Sequence, residues 1–169
     1  QYQFTDDLMS YVSYSEGFKS GGFFGRITLA TADSLRSFNP EEVSTTELGL
    51  KSTWWDQRLR VNAAIFTSEY SDKQEEIIVA DAGGNVDTVV VNASDATLSG
   101  AELEISAALY EGLTAYAQGG YLDAEYDEFR TDVPGLPTDA SGLEMRNSPE
   151  FTYGAGLNYV HPIFQHSEM

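Results

Sequence analysis

Between Arg58 and Ile105 the chain alternates apolar and polar residues with a period of two, and this constrains its fold more than any other feature. Leu59, Val61, Ala63 and Ile65 share one face of an extended segment, while Arg58, Arg60 and Asn62 share the other. The returning limb repeats the pattern, with Ala101, Leu103 and Ile105 set against Glu102 and Glu104. Between the limbs, Gly83-Gly84-Asn85 supplies a tight-turn sequence, so the whole stretch reads as a long antiparallel hairpin. One of its faces must meet an apolar phase and the other water. A protein core and a bilayer would both satisfy that pattern.

Composition narrows the choice. Cys is absent and His occurs twice, which excludes disulfide scaffolds, Cys-based zinc sites and thiol redox motifs. Nine Lys plus Arg stand against 27 Asp plus Glu, a formal charge of -18, and phosphate binding needs a basic face, so no nucleic-acid partner is expected. Ten Tyr and 15 Gly suit a β-rich protein better than an acidic disordered tail. No apolar run approaches the ~20 residues of a membrane helix. A membrane strand, however, shows lipid only at every second residue, and the mean hydropathy of -0.30 is compatible with that. Gln1 is not preceded by a secretory leader, which leaves either a cytosolic protein or one whose beginning lies upstream.

About six strands are expected in chain order. The first runs from Leu8 to Phe18 and breaks at Gly21-Gly22, the second from Val43 to Thr53 up to a turn at Trp54-Trp55-Asp56-Gln57. The hairpin follows, with residues 71 to 95 expected to project beyond the apolar phase as alternation weakens and acidic residues accumulate. After a turn at Tyr110-Glu111-Gly112 come strands from Leu113 to Tyr126 and from Pro149 to Val160. Connections alternate long and short, so the short turns gather at one end of the sheet and the stretches 24 to 42, 71 to 95 and 127 to 148 at the other. Outer-membrane up-and-down barrels have this polarity. Trp54, Trp55, Tyr110 and Tyr159 fall near the short-turn end, and Phe66, Tyr70, Tyr121, Tyr126 and Phe151 toward the opposite end, as two aromatic girdles around an aliphatic band would. Core aromatics of a soluble β-protein stay open as the plainer reading.

Several segments together resemble the barrel of TonB-dependent outer-membrane receptors. They are Tyr11-Val-Ser-Tyr-Ser-Glu-Gly-Phe-Lys-Ser-Gly-Gly-Phe23, Glu47-Leu-Gly-Leu-Lys-Ser52, Tyr70-Ser-Asp-Lys-Gln74, Asn92-Ala93 with Ser99-Gly-Ala-Glu-Leu-Glu104, and Asn147-Ser-Pro-Glu150. Their order matches the family's and they span nearly the whole chain. The resemblance implies an all-β, antiparallel, transmembrane barrel represented by part of its wall, with residues 1–169 a section of the barrel and the plug domain and barrel ends outside it. It implies a bacterial outer-membrane receptor, not an enzyme, that imports a scarce ligand, by default a ferric siderophore. Expected partners are outer-membrane lipid, that ligand, and the TonB complex through a missing N-terminal region. No resident cofactor is expected, iron entering only as transported cargo.

On this reading Glu47, Lys51, Arg58, Arg60, Glu102, Glu104 and Gln118 face the lumen. Leu59, Val61, Ala63, Ile65, Leu103 and Ile105 face lipid, and Trp54, Trp55, Tyr110, Tyr159, Tyr121 and Phe151 form the girdles. The Glu102 and Glu104 pair has no neighbouring His and reads as lumen polarity rather than acid-base catalysis. Asp81 to Asp87 lacks EF-hand spacing, Gly154-Ala-Gly156 lacks a third glycine and a helix, and His161 with His166 make no metal motif. A passive porin and a soluble binding or adhesive module are the alternative functions.

Overall fold

The computed structural model describes residues 1–23, 37–80, 86–129, 139 and 141–161. Nine strands occupy them: β1 (Tyr2–Thr5), β2 (Leu8–Lys19), β3 (Gly22–Phe23), β4 (Ser37–Phe38), β5 (Glu41–Trp54), β6 (Leu59–Ala80), β7 (Val86–Tyr110), β8 (Leu113–Phe129) and β9 (Phe151–Tyr159). Seven form one sheet in the order β1-β2-β5-β6-β7-β8-β9, while β3 and β4 pair separately. Every neighbouring pair in the large sheet is antiparallel. No helix occurs among the described residues. The seventh strand is β1, whose four residues were too few to show a period.

Register is what gives this sheet its two chemically distinct faces. Leu48, Ile65, Ala101, Tyr121 and Phe151 line up across β5 to β9, as do Leu50, Ala63, Leu103, Gly119 and Tyr153. A third row is Ser52, Val61, Ile105, Ala117 and Ala155. The intervening rows are polar: Lys51, Asn62, Glu104, Gln118 and Gly154 form one, and Gly49, Ala64, Glu102, Gly120 and Thr152 another. A slip of one residue in any pair would turn that strand's aliphatic set onto the polar face.

Nothing described covers the aliphatic face. Ile65 is 57% and Leu157 70% exposed, and Leu48, Leu50 and Leu103 are exposed as well. The buried apolar residues, Ile77, Val89, Ala96, Ala124 and Tyr126, all lie at the far end, beyond the wall. Polar atoms on the aliphatic face are paired within the sheet: the Trp54 indole donates to Ser52 Oγ at 3.0 Å, and Ser52 Oγ donates to the Val61 carbonyl at 3.0 Å.

The short turns gather at one end, as expected. Trp55, Asp56 and Gln57 take φ of 55°, 52° and 65°, a tight left-handed reversal closed by Arg58 N–H donating to the Trp55 carbonyl at 3.1 Å. At the opposite end β6 and β7 stay paired out to Ala80 and Val86, so residues 71–80 and 86–95 are strand rather than loop. At the base of this extension the alternation is interrupted by bulges. Between Tyr70 and Gln74 the ladder gains one residue on β6 and then one on β7, two compensating bulges that scramble a period of two while restoring register. The expected turn at 81–85, most of the stretch 24–42 and the middle of 127–148 lie outside the described residues, as does His166.

On the polar face, aromatic rings lie over glycines of the neighbouring strand. A Cβ on Gly49 would sit 2.2 Å from the Tyr11 ring, one on Gly156 2.2 Å from the Tyr116 hydroxyl, and one on Gly100 2.6 Å from the Phe66 ring. Bare glycine backbone thus gives each ring a flat seat, and each ring covers backbone that has no side chain of its own. Gly119, on the aliphatic face, has nothing nearer than the Thr152 carbonyl at 3.8 Å. Gly49→Ala is therefore expected to lower stability by about 1–3 kcal/mol through overpacking. Gly119→Ala should be neutral or slightly stabilising, by up to ~1 kcal/mol. Urea midpoints followed by tryptophan fluorescence would separate the two.

Candidate functional site

The polar face and the bulged level above it form the candidate site. On the face, Glu47, Lys51, Arg60, Glu102, Glu104 and Gln118 all project to the same side, because their registers are alternate rows of one ladder. Tyr11 hydroxyl donates to Glu47 Oε1 at 2.6 Å, and Lys51 Nζ lies 5.3 Å from the centre of the same ring. Asn62 Nδ2 donates to Glu104 Oε2 at 3.4 Å. Arg58 occupies the margin of this face: its guanidinium donates to the Ala108 and Leu109 carbonyls at 2.9 and 3.0 Å, tying down the strand end next to a turn.

Leu59, Val61, Ala63, Ile65, Leu103 and Ile105 share the opposite face with the rings of Trp54, Tyr110, Tyr159, Tyr121 and Phe151. Tyr121 and Phe151 are cross-strand partners, with ring centres 5.2 Å apart. Trp55 belongs to the turn itself and is exposed. From Leu113 to Tyr121, β8 rises about 27 Å along its own axis at ~3.3 Å per residue. Not every aromatic of the upper set joins this face. Phe66 and Tyr70 stand in the rows of the polar face, as does Tyr126, because an even spacing from Arg60 or Gln118 keeps them on that side. Height along the chain, without parity, placed them with Tyr121 and Phe151.

Above that level three bulges coincide, on β6 between Tyr70 and Lys73, on β7 between Asn92 and Ser94, and on β8 between Tyr126 and Glu128. Asp72 takes φ of 52° there. Consecutive Gln74 and Glu75 are both buried, at 7% exposure each. Gln74 Nε2 donates to the Lys19, Ser20 and Asn39 carbonyls at 3.4, 3.1 and 3.0 Å, and its backbone N–H donates to Glu41 Oε2 at 2.8 Å. Asn92 adds a reciprocal pair with Asn39 and donates to the Asp72 carbonyl at 2.6 Å. These are the residues of the Tyr-x-Asp-x-Gln and Asn-Ala motifs, whose role the sequence did not disclose.

Glu75 reaches the other way. It accepts from Tyr126 hydroxyl at 2.8 Å, pairs with Lys73, and lies 3.7 Å from the Arg146 guanidinium. Lys73 Nζ also stands 5.9 Å from the centre of the Tyr126 ring. The segment carrying Arg146 is itself held to β8, by Gly142 N–H donating to the Tyr126 carbonyl and Met145 N–H to the Ala124 carbonyl at 2.7 and 3.1 Å. Burial pushes the Tyr126 phenol up to about 12 from its ordinary 10.0, helped by its bond to Glu75 and that carboxylate's charge and opposed by Arg146. Sequence reasoning passed over this cluster because its members are far apart in the chain and two of them lie at bulges.

The arrangement holds a polar wall rigid and supports long segments at one end. Among the described residues no group of three or more His, Cys, Asp or Glu is placed to hold a metal ion. A family model described as TonB dependent receptor-like, beta-barrel, matches residues 1–166. The chain is 27% identical over 167 residues to the ferric-pyoverdine BN7/BN8 receptor of Pseudomonas putida, covering 96% of this chain and 19% of that protein. It superposes with a TM-score of 0.67 on the ferric yersiniabactin uptake receptor from Yersinia pestis, at 22% identity, over 95% of this chain and 22% of that one. The siderophore receptor PiuA from Acinetobacter baumannii gives the same TM-score at 23% identity, over 94% of this chain and 22% of that one. The chain thus spans about a fifth of the length of these proteins.

The raised Tyr126 pKa has a pH consequence. The phenol stays protonated in the folded protein where it would ionise in the unfolded one, so its contribution to stability is complete below about pH 10 and is lost as pH climbs through about 12. Glu75→Gln removes the carboxylate but leaves the burial, so the Tyr126 pKa should fall and still stay above its ordinary value. Titration of ring-carbon-labelled tyrosine by NMR reads both outcomes.

Proposed function

Because the chain belongs to the TonB-dependent receptor β-barrel family, we propose that it is a section of the wall of an outer-membrane receptor that imports a ferric siderophore, energised through TonB. Members of the family and the solved neighbours are transport receptors of the bacterial outer membrane. The observation that carries the proposal is the coincidence of this family match with a register that gathers the aliphatic side chains between aromatic rows on one face and the charged and amide side chains on the other. An apolar face with no protein against it suits lipid. The rows through Glu47, Lys51, Arg60, Glu102, Glu104 and Gln118 then line the transport path, with Arg58 at its inner margin. Leu59, Val61, Ala63, Ile65, Leu103 and Ile105 meet acyl chains, and Trp54, Trp55, Tyr110 and Tyr159 on one side, Tyr121 and Phe151 on the other, sit at the headgroups.

The short turns mark the periplasmic end, and the bulged level with its long segments marks the outside. The choice of a siderophore over another cargo is supported by the name of the similar ferric-pyoverdine BN7/BN8 receptor. Iron is cargo here and no resident cofactor is invoked.

Two measurements check this reading. The chain contains no Cys, so single cysteines can be placed in this section without background from it. At positions 102 to 105, Glu102→Cys and Glu104→Cys should react with a water-soluble maleimide in intact outer membranes. Leu103→Cys and Ile105→Cys should resist it, and a label placed there should be quenched by lipid-borne nitroxides. Equal reactivity at all four positions would refute the two-faced wall. For the cargo, the full-length receptor should restore growth on ferric siderophores to an uptake-deficient strain only while TonB is present. Growth that persists without TonB would return the protein to the passive-porin reading.

A further inference from the structure

Gln74 and Glu75 are adjacent, equally buried, and bonded in opposite directions. Gln74 shares two amide N–H groups among three carbonyls, at Lys19, Ser20 and Asn39, which are the two stems of the connection from β2 to β5. Glu75 holds Tyr126 and faces Arg146, so it engages the top of β8 and the segment that descends toward β9. β6 and β7 stand between these two connections in the strand order, and successive residues of β6 reach one each. Each contact is costly to leave unmade, because both side chains are almost out of water.

We propose that Gln74 and Glu75 are positioning residues that form a single tie, locking the 37–41 segment and the 141–146 segment to one frame so that disturbance of either is felt by the other. This rests on the receptor reading only for its meaning. There, the 37–41 and 141–146 segments flank the β6–β7 pair, and a ligand seated between them would meet two supports of fixed separation. The tie itself requires no ligand. A purely local role would make two independent anchors, each stabilising its own segment.

Hydrogen exchange read by mass spectrometry on the full-length receptor in detergent distinguishes these cases. Glu75→Gln is isosteric and leaves every contact of Gln74 with Lys19, Ser20, Asn39 and Glu41 in place, yet a single tie predicts exchange at least fivefold faster in the peptide containing Asn39 and Glu41. Gln74→Ala should reciprocally speed exchange in the peptide containing Gly142 and Met145. Tyr126→Phe, which removes one hydroxyl, should produce the same crossed pattern more weakly. Peptides of the wall around Leu48 and Ala63 must be unchanged in all three, which separates the tie from general loss of stability. Exchange that rises only in each variant's own segment, or uniformly through the wall, overturns the proposal. Ferric pyoverdine added to the wild type supplies a separate arm. If it and other ferric siderophores fail to bind while the crossed pattern is seen, the cargo reading falls and the tie stands.

Discussion

The antiparallel ladder that joins seven strands, from β1 at one edge to β9 at the other, is the interaction on which the rest of this structure depends. In a hydrocarbon phase a backbone N–H or carbonyl has no water to turn to, so a strand survives there only if neighbours on both sides complete its bonds. The register, regular through the wall, does this across the sheet and also sorts the side chains. It places Ile65, Leu103 and Ala117 on one surface and Asn62, Glu104 and Gln118 on the other without any help from a hydrophobic core. That explains an otherwise odd distribution of burial. In a soluble domain the aliphatic rows would be the buried ones, yet here they are exposed, and the few buried apolar residues gather beyond the wall.

Those buried residues mark where the physics changes. Below the bulges, stability comes from the ladder and from rings seated on glycines. At and above them the chain forms a small core of its own, with Ala96, Ala124 and the ring of Tyr126 just beneath the bulges and Ile77 and Val89 beyond them. The polar members of this level, Gln74, Glu75 and Asn92, satisfy carbonyls and side chains of segments distant in sequence. A bulge interrupts a regular ladder, and three at one height mark where the wall gives way to a level that holds the 37–41 and 141–146 segments.

Much of the wall was legible before any coordinates. Strict alternation at Leu59 to Ile65 and at Ala101 to Ile105 defined both faces, because a period of two has a single structural meaning. Alternating connection lengths oriented the sheet, and the ordered motifs pointed to the family. Legibility stopped where the period did. Residues 71–80 and 86–95 looked like loop because two bulges break the period at their base and the runs Ile77-Ile78-Val79 and Val89-Val90-Val91 do not alternate, although their backbone remains paired. Phe66, Tyr70 and Tyr126 were grouped with the girdle by their height, although parity puts them on the polar face. β1 was too short to announce itself, and the Arg58 guanidinium turned out to bind strand-end carbonyls at the margin of its face.

By itself, then, the sequence determined what each strand residue must face, since side-chain direction along a strand is a local property of the backbone. Only the tertiary structure decided which distant residues meet. The encounter of Gln74 with Lys19, Ser20 and Asn39, and of Glu75 with Tyr126 and Arg146, depends on the registers of several strand pairs at once. Registers are sums over whole ladders, shifted by each bulge, and no local pattern carries that information.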